Sequence, residues 1–248
     1  MTIEVIVLAA GRGTRMASSC PKVLHTLGGR SLLDHALNTA QALDPSQIHV
    51  VVGPENESLA EAQIRGALIW HIQKERLGTG HAVELAMCAV HEPATVLVLY
   101  ADMPLVRVDT LRALCAQAQD DRVVMLTACP DAADGFGRII RDKTGAVTGI
   151  VEEADATAKQ RAIREVNTGI LVAPARRLGQ WLAEVGNGNQ QGERYLTDVV
   201  AMAVADGVDV VAQAVADPDE SLGVNDKVQL AAAERALQRR QAQQLMQA

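Results

Sequence analysis

The feature that most constrains the fold is an alternation between two hydrophobic patterns over residues 3–128. Short apolar runs rich in β-branched residues come first, as expected for strands that are buried on both faces. Each run is followed by a longer segment in which apolar residues recur at the spacing of an amphipathic helix. Such alternating units predict an α/β fold with a doubly wound, mostly parallel sheet and helices on both of its faces.

The elements of this region can be assigned individually. The predicted strands cover Ile3–Ala9, His49–Val52, Leu68–Ile72, Thr95–Tyr100 and Val123–Ala128. The predicted helices cover Leu32–Leu43, Ser58–Ile64, His81–Val90 and Asp109–Gln119. Ser31 is placed to cap the first helix, because its side-chain oxygen can accept a hydrogen bond from a free amide of the first turn.

After Cys129 and Pro130 the alternation stops and the pattern becomes richer in β-structure. A hairpin is predicted around the turn Asp142–Gly145, and a polar segment, residues 152–164, follows it. Further strands are predicted at Val166–Val172 and Val208–Val215, and helices at Ala175–Val185 and Leu196–Ala205. From Asp226 onward the chain is predicted helical, and its end shows neither a glycine cap nor a hydrophobic cluster for docking. We therefore expect one domain over residues 1–226 and a C-terminal helical arm over residues 227–248.

Composition excludes several classes of protein. With 48% hydrophobic and 21% charged residues the chain is typical of globular proteins, and it lacks an apolar stretch long enough to span a membrane. The net charge of -7 argues against a general nucleic-acid binder, whose affinity depends on a basic face. The 4 cysteines form no CxxC pair, and the 6 histidines show no HExxH spacing. We expect a reduced, cytoplasmic protein without structural zinc.

A glycine-containing loop follows the first strand directly. It reads Leu8-Ala9-Ala10-Gly11-Arg12-Gly13-Thr14-Arg15-Met16, with Pro21-Lys22 shortly after. In doubly wound sheets the first loop of this kind is the usual nucleotide contact, and glycines let backbone amides approach phosphates closely. Arg15 and Lys22 could neutralise such phosphates, although the glycines could also form only a tight turn.

Two familiar phosphate-binding motifs do not fit this loop. The dinucleotide fingerprint GxGxxG would require a glycine at Met16, and the P-loop string GxxxxGK[ST] does not occur in the chain. If the loop binds a nucleotide, it therefore does so in a third way.

Two later segments add candidate contacts. Gln73 ends a predicted strand and is soon followed by Gly78 and Thr79, which open a helix. A side-chain amide and a glycine-backed helix start can read a base edge and a ribose, or the glycine can serve only the helix start. Asp102 follows the strand that ends at Tyr100, where a carboxylate is well placed to hold Mg²⁺ against a triphosphate. A lone aspartate near a proline is otherwise often a turn or cap residue.

The loop at Leu8–Met16 with Pro21-Lys22 resembles the signature of the sugar-nucleotidyltransferases, which join a sugar 1-phosphate to a nucleoside triphosphate and release pyrophosphate. The later segments, in their order, resemble the uridylyltransferase half of the bacterial N-acetylglucosamine-1-phosphate uridylyltransferases. Those segments are Leu77–Ala82, Tyr100–Pro104, Phe136–Ile139, Gly149–Glu152, Val166–Gly169, Gly192–Asp198 and Gly223–Asp226. The resemblance extends from Leu8 to about Leu230. It implies a Rossmann-like nucleotidyltransferase fold, with a nucleotide-binding part at about residues 1–128 and a small β-rich sugar-binding part at about residues 129–226.

The same resemblance implies a reaction and a role for each matching position. The reaction is Mg²⁺-dependent transfer of the uridylyl group of UTP to N-acetyl-α-D-glucosamine 1-phosphate. The implied catalytic residues are Arg15, Lys22 and Asp102, and the implied Mg²⁺ ligands are Asp102 and Asn225. The implied nucleotide-binding residues are Leu8, Ala9, Ala10, Gly11, Gly13, Gln73, Gly78 and Thr79. The implied sugar-binding residues are Tyr100, Ala101, Gly137, Glu152, Asn167, Tyr195 and Thr197, the last two near the phosphate of the sugar.

The chain departs from the family pattern in three respects. Ala101 replaces a glycine, and its methyl group could crowd the sugar or the ribose. Arg76 stands where relatives have a neutral amide, which adds a cation near the base. The chain also stops where the family continues into a β-helix of hexapeptide repeats that performs acetyl transfer and forms trimers, so we expect neither property here.

Two alternatives remain open from the residues. A nucleotidyltransferase of the same fold could act on another sugar 1-phosphate or on a phosphorylated alcohol. A catalytically silent protein that binds a nucleotide sugar could keep the same fold.

Overall fold

The computed structural model of the protein describes residues 2–61, 68–118 and 121–247. Its strands are β1 (Ile3–Ala9), β2 (Thr26–Leu27), β3 (Arg30–Ser31), β4 (Gln47–Val52), β5 (Leu68–Ile72), β6 (Thr95–Tyr100), β7 (Val123–Ala128), β8 (Arg138–Arg141), β9 (Val147–Val151), β10 (Val166–Pro174) and β11 (Val210–Ala214). Its α-helices are α1 (Leu32–Gln41), α2 (Glu57–Glu61), α3 (Thr79–Met87), α4 (Val108–Gln117), α5 (Ala158–Arg161), α6 (Ala175–Glu184), α7 (Asp198–Ala205) and α8 (Lys227–Gln247). Short 3₁₀ helices lie at Thr14–Met16, Lys22–Leu24, Pro54–Asn56 and Pro218–Ser221.

The described residues form a mixed, mostly parallel sheet of 9 strands, which confirms the predicted fold class. Its main order is β11-β7-β10-β6-β1-β4-β5, and the hairpin β8-β9 extends it beside β10. Strand β1 pairs in parallel with β4 and β6, and β5 and β11 also pair in parallel with their neighbours. Strand β10 runs antiparallel between β6 and β7. Because hydrophobic periodicity reports burial and not direction, the sequence analysis did not reveal this reversal.

Helices cover both faces of the sheet. Successive residues of a strand point to opposite faces, so Val5 and Val7 contribute to one core cluster and Ile6 and Leu8 to the other. The first cluster includes residues of α1 and α4, and the second includes residues of α3, α6 and α7. The predicted cap of α1 is present, since the Ser31 hydroxyl accepts a hydrogen bond from the Asp34 amide at 3.0 Å.

Several element boundaries differ from the predicted ones. Helix α2 begins one residue early, at Glu57, and the end of the predicted helix up to Ile64 lies outside the described residues. Helix α3 begins at Thr79 and ends at Met87, and the predicted end of α4 at Gln119 also lies outside the described residues. The polar segment at residues 152–164 contains α5, which Thr157 and Gln160 open with a reciprocal capping box.

The C-terminal helix is docked over its first half and free at its end. Ala233 and Ala236 of α8 are buried in a third core cluster, which also includes Met16 and Leu105. Leu245 and Met246 are each 79% exposed. The predicted lack of a docking cluster therefore describes only the end of the helix. No helix of the described ranges combines the length and the apolar character required to cross a membrane.

Candidate active site

A large concave surface lies where parallel strands end. Strands β1, β5 and β6 are linked in parallel through the sheet, so their carboxyl ends meet at one edge, and a cavity of about 560 Å³ opens there. Ligands of open α/β sheets bind at this edge. The cavity is lined by Leu8, Ala9, Ala10, Gly11, Arg12, Lys22, Val23, Gln73, Arg76, Gly78, Thr79, Ala82, Tyr100, Asp102 and Glu193. The lining thus includes every predicted nucleotide-binding residue except Gly13.

Three polar side chains converge at one wall of this cavity. The Lys22 ammonium lies 2.5 Å from Asp102 Oδ2 and donates to Asn225 Oδ1 at 3.0 Å, with only 8% of Lys22 exposed. Asp102 comes from the turn after β6, and the Val224 amide donates to its carbonyl at 2.8 Å, which holds the two distant segments together. The oxygens of Asp102 and Asn225 therefore face a single cation position.

This oxygen pair fits a magnesium ion chemically. A carboxylate and an amide carbonyl are hard oxygen donors, and Lys22 shows that both can be directed at one positive charge. Among the described residues, no three His, Cys, Asp or Glu side chains form a metal-binding group. A divalent ion at Asp102 and Asn225 would therefore complete its coordination with water and substrate oxygens, as Mg²⁺ commonly does.

The glycine loop places its arginines differently from the prediction. Gly13 has a φ of 62°, and a Cβ atom there would lie 2.5 Å from the Cβ of Lys22, so Gly13 packs against Lys22 and does not line the cavity. The left-handed turn at Gly13 leads into the exposed 3₁₀ helix that carries Arg15, and Arg12 lines the cavity instead. Spacing in the sequence does not show which of two neighbouring arginines a turn will direct inward.

The predicted base-reading residues lie together at the start of α3. Gln73 is 4% exposed, and its Nε2 donates to the Gly78 carbonyl at 3.1 Å. Gly78 has a φ of 110°, and a Cβ atom there would lie 2.4 Å from the Arg194 carbonyl oxygen. The Thr79 hydroxyl accepts a hydrogen bond from the Leu196 amide at 3.0 Å. This end of the cavity is therefore built against the segment around Arg194.

The predicted sugar-binding residues lie on the other side of β6. Tyr100 lines both the cavity and a narrow cleft that Asn167 and Thr197 also line. Because β10 is antiparallel, its first residues reach the same edge as the carboxyl ends of β6 and β7, which places Asn167 there. Glu152 accepts a hydrogen bond from the Thr197 hydroxyl at 2.8 Å, and a Cβ atom on Gly137 would lie 3.3 Å from Glu152 Oε2.

Three acidic side chains, Glu152, Asp155 and Asp198, lie near the residues Tyr195 and Thr197. Burial raises the pKa of Glu152, and the same effect, reinforced by Asp155, raises the pKa of Asp198. Burial and the charge of Asp155 raise the pKa of Tyr195 to about 12. These carboxyl groups favour neutral hydroxyl groups over a phosphate as neighbours, and the phosphate contact of Tyr195 and Thr197 stays a prediction.

Ala101 differs from its predicted position at the sugar. It is fully buried in the core cluster that contains Val7 and Leu99, and its amide donates to the Leu8 carbonyl at 3.0 Å. Its methyl group therefore packs in the core, because the β6–β1 hydrogen-bond ladder continues past the end of β6. It lines neither the cavity nor the cleft.

The sequence analysis missed some of the cavity lining. Arg12 and Glu193 lie inside motifs that were recognised, but neither was assigned a contact. Arg76 was noted only as a departure from the family, and its Nε donates to the Ala10 carbonyl at 2.7 Å. An arginine close to a predicted ligand-binding strand end was the available signal for this residue.

Comparisons with known proteins show the family of this chain. A family model described as the MobA-like NTP transferase domain matches residues 5–247. Bifunctional protein GlmU from Alkalilimnicola ehrlichii is 54% identical over 246 residues, which cover 99% of this chain and 53% of that protein. Bifunctional protein GlmU from Pseudomonas putida strain GB-1 is 48% identical, with 99% and 54% covered. The chain therefore spans about half the length of the curated relatives it matches.

Solved structures share the fold at lower identity. A nucleotidyl transferase from Methanothermobacter thermautotroptrophicus has a TM-score of 0.69 at 20% identity, covering 96% of this chain and 98% of that one. UDP-glucose pyrophosphorylase complexed with UDP-glucose has a TM-score of 0.77 at 17% identity, covering 97% and 100%. These likenesses confirm the nucleotidyltransferase fold.

Proposed function

Because the chain belongs to the MobA-like NTP transferase domain family and is a nucleotidyltransferase, we propose that it transfers the uridylyl group of UTP to N-acetyl-α-D-glucosamine 1-phosphate. The products are UDP-N-acetylglucosamine and pyrophosphate. One observation carries the proposal: Asp102 and Asn225 face one cation position, at a cavity that shares Tyr100 with a second cleft. The similarity to Bifunctional protein GlmU supports the choice of this substrate pair.

The reaction is an in-line displacement at phosphorus. An oxygen of the sugar phosphate bonds to the α-phosphorus of UTP, and the bond to the bridging oxygen breaks, so that its electron pair leaves with pyrophosphate. The attacking phosphate is already ionised near neutral pH, and no side chain has to remove a proton. The main task of the protein is then to bring two anions together and to stabilise the charge that develops.

The cavity binds the nucleotide, and the cleft on the other side of β6 binds the sugar phosphate. Lys22 and Arg12 at the cavity, with Arg15 nearby, neutralise the triphosphate, and Gln73, Gly78 and Thr79 bind uracil. Asp102 and Asn225 would hold Mg²⁺, which when bound supplies Lewis-acid stabilisation and a template for the two reactants.

The sugar is held by Tyr100 and Asn167 of the cleft and by Glu152, which is bonded to Thr197 of the cleft. Glu152, Asn167 and Tyr100 accept or donate hydrogen bonds to its hydroxyl and N-acetyl groups. Burial raises the pKa of the Tyr100 hydroxyl, which therefore stays neutral and can both donate and accept.

A substrate panel tests the proposal. Pyrophosphate release would be measured with UTP, CTP and ATP, each combined with the 1-phosphates of N-acetylglucosamine, glucose and mannose. We expect the highest kcat/KM for UTP with N-acetylglucosamine 1-phosphate. A better pair would overturn the substrate assignment. If calorimetry detects UTP binding but no combination of substrates releases pyrophosphate, the protein binds nucleotides without catalysing the reaction.

A further inference from the structure

Arg76 connects the loops that follow three neighbouring strands. The sheet order at this side is β1-β4-β5, and Arg76 follows β5. Its guanidinium passes the end of β4, and its Nε donates to the Ala10 carbonyl after β1 at 2.7 Å. Arg76 also lines the cavity together with Ala10 and Gly11. A single side chain thus links the far side of the cavity to the glycine loop.

The loop after β4 forms a seat for this guanidinium. Arg76 Nη2 contacts both carboxylate oxygens of Glu55, and the Arg76 side chain is 21% exposed. A Cβ atom on Gly53 would lie 2.2 Å from Arg76 Nη2, so the absence of a side chain at position 53 makes room for it. Gly53 has a φ of -80° and a ψ of 167°, which an alanine adopts without strain.

The contact with Ala10 has a consequence for the phosphate-binding loop. The carbonyl of Ala10 and the amide of Gly11 belong to one planar trans peptide and point in opposite directions. Fixing the carbonyl on Arg76 therefore fixes the direction of the Gly11 amide. Backbone amides at such a loop are the groups that contact phosphates.

We propose that Arg76 is a positioning residue for the nucleoside triphosphate, which it serves by orienting the Ala10–Gly11 peptide. This inference rests on the proposed function and adds a determinant of nucleotide affinity. Glu55 and Gly53 act through Arg76, because they hold its guanidinium in place. Since Arg76 lies on the nucleotide side of the cavity, it sets the binding of UTP and leaves the binding of the sugar phosphate unchanged.

Binding and kinetics of variants test this role. Arg76→Ala should raise the Kd for Mg²⁺–UTP and the KM for UTP by about tenfold, the loss expected for a hydrogen bond to a charged group. The kcat and the KM for the sugar phosphate should stay close to the wild-type values. Gly53→Ala, which keeps Arg76 but displaces its guanidinium, should reproduce the effect. Arg76→Lys should not restore the wild-type affinity for UTP. An ammonium lacks the planar guanidinium whose several donors bind the Ala10 carbonyl and Glu55 at the same time.

Arg112→Ala is the matched control. Arg112 pairs with Asp109 and donates to the Ala42 carbonyl at 2.8 Å, but it lies outside the cavity lining. We expect wild-type UTP binding from this variant. Hydrogen exchange of the nucleotide-free proteins adds a direct readout, since Arg76→Ala should speed exchange at residues 10–13 and not in β1.

The outcomes separate the two proposals. A wild-type protein that binds UTP while Arg76→Ala and Gly53→Ala bind it equally well would overturn the role of Arg76 and leave the proposed function standing. A loss of UTP affinity in Arg112→Ala as large as that in Arg76→Ala would also overturn it. A wild-type protein that binds no nucleoside triphosphate would overturn the proposed function itself.

Discussion

The two sides of the candidate active site differ in charge. On the side of β1, β4 and β5 the cavity lining contains the three cations Arg12, Lys22 and Arg76 and the two carboxylates Asp102 and Glu193. The cleft on the side of β10 is lined mostly by apolar residues, with Tyr100, Asn167 and Thr197 as its polar members. Burial raises the pKa of two carboxyl groups next to Thr197, those of Glu152 and Asp198. Under the proposed function, the side with three cations binds the triphosphate and the other side binds the hydroxyl groups of the sugar.

This division also orients the second substrate. A sugar phosphate that enters the cleft with its hydroxyl groups first keeps its phosphate away from Glu152 and Asp198. The phosphate then faces Asp102 and Lys22, which lie at the cavity wall next to Tyr100. Under the proposed function, this orientation would bring the phosphate of the sugar to the wall that holds Asp102 and Lys22, and orientation is a large part of catalysis between two reactants.

Replacing Asp102, at the wall of the cavity, should have the largest effect on activity. We expect Asp102→Ala to lower kcat by about 10²–10³-fold or more, because the site loses a metal ligand and the partner of Lys22. Pyrophosphate release from UTP and the sugar phosphate measures it. Asp131→Ala, at an exposed aspartate after β7, is the control. A near wild-type rate in Asp102→Ala would contradict the proposed role of Asp102 as a metal ligand.

Removing the cation of the nucleotide side should have the next largest effect. Lys22→Ala should raise the barrier by about 2–4 kcal/mol, because Lys22 stabilises charge on the leaving phosphates. Single-turnover rates at saturating UTP measure this loss. Lys143→Ala in the exposed β8–β9 turn controls for net charge. An equal loss in both variants would mean that overall charge, and not the position of Lys22, matters.

The sugar side should respond through binding alone. Glu152→Gln should raise the KM for N-acetylglucosamine 1-phosphate by about tenfold, because a charged hydrogen-bond acceptor is lost, and should leave the Kd for UTP unchanged. Since burial raises the pKa of Glu152, the wild-type KM should also rise as the pH falls, more steeply than in Glu152→Gln. Glu184→Gln, exposed on α6, is the control. A changed UTP affinity in Glu152→Gln would contradict the division between the two sides.

The smallest predicted effect concerns stability beneath the nucleotide side. The buried side chains of Glu4 and His49 and the half-buried side chain of His71 form a hydrogen-bonded series across β1, β4 and β5, with 2.8 Å and 3.1 Å between the bonded atoms. Burial and the nearby His49 lower the pKa of His71 to about 4. Between pH 6.5, the ordinary histidine pKa, and about pH 4, His71 is protonated in the unfolded chain but neutral in the folded protein. The free energy of unfolding therefore decreases as the pH falls through this range.

Replacing His71 tests the predicted direction in which stability changes with pH. The free energy of unfolding of His71→Gln, from urea titrations across this pH range, should fall less steeply with decreasing pH than that of the wild type. UTP binding should be unaffected, because His71 is not part of the cavity lining. An identical pH dependence of stability in the two proteins would assign the effect to other groups.

The bounds of several strands could be predicted from the sequence, but the antiparallel direction of β10 and the docking of α8 could not. The strands β5, β6 and β7 have the predicted bounds, because each is a short buried apolar run between clear breaks. The antiparallel direction of β10 and the docking of α8 depend on distant packing partners, such as β6 for the former and Met16 for the latter. A local pattern of apolar residues contains no information about such partners.

The same limit applies to the candidate site. Lys22, Asp102 and Gln73 could be predicted because each stands next to a strand end or a glycine loop whose place in the fold is general. The choice of Arg12 over Arg15 at the cavity depends on a left-handed turn at Gly13, and the burial of Ala101 depends on one backbone hydrogen bond to Leu8. Such single-residue geometry is not encoded in motif spacing.

The central claim is that Asp102 and Asn225 hold one divalent ion between the two sides, and manganese binding tests it most directly. Mn²⁺ would be titrated in the presence of UTP and followed by electron paramagnetic resonance, with Asn187→Ala in an exposed loop as the control. We expect Asp102→Ala and Asn225→Ala each to weaken Mn²⁺ binding markedly, and the double variant to add little to either. Unchanged Mn²⁺ affinity in both single variants would contradict the account.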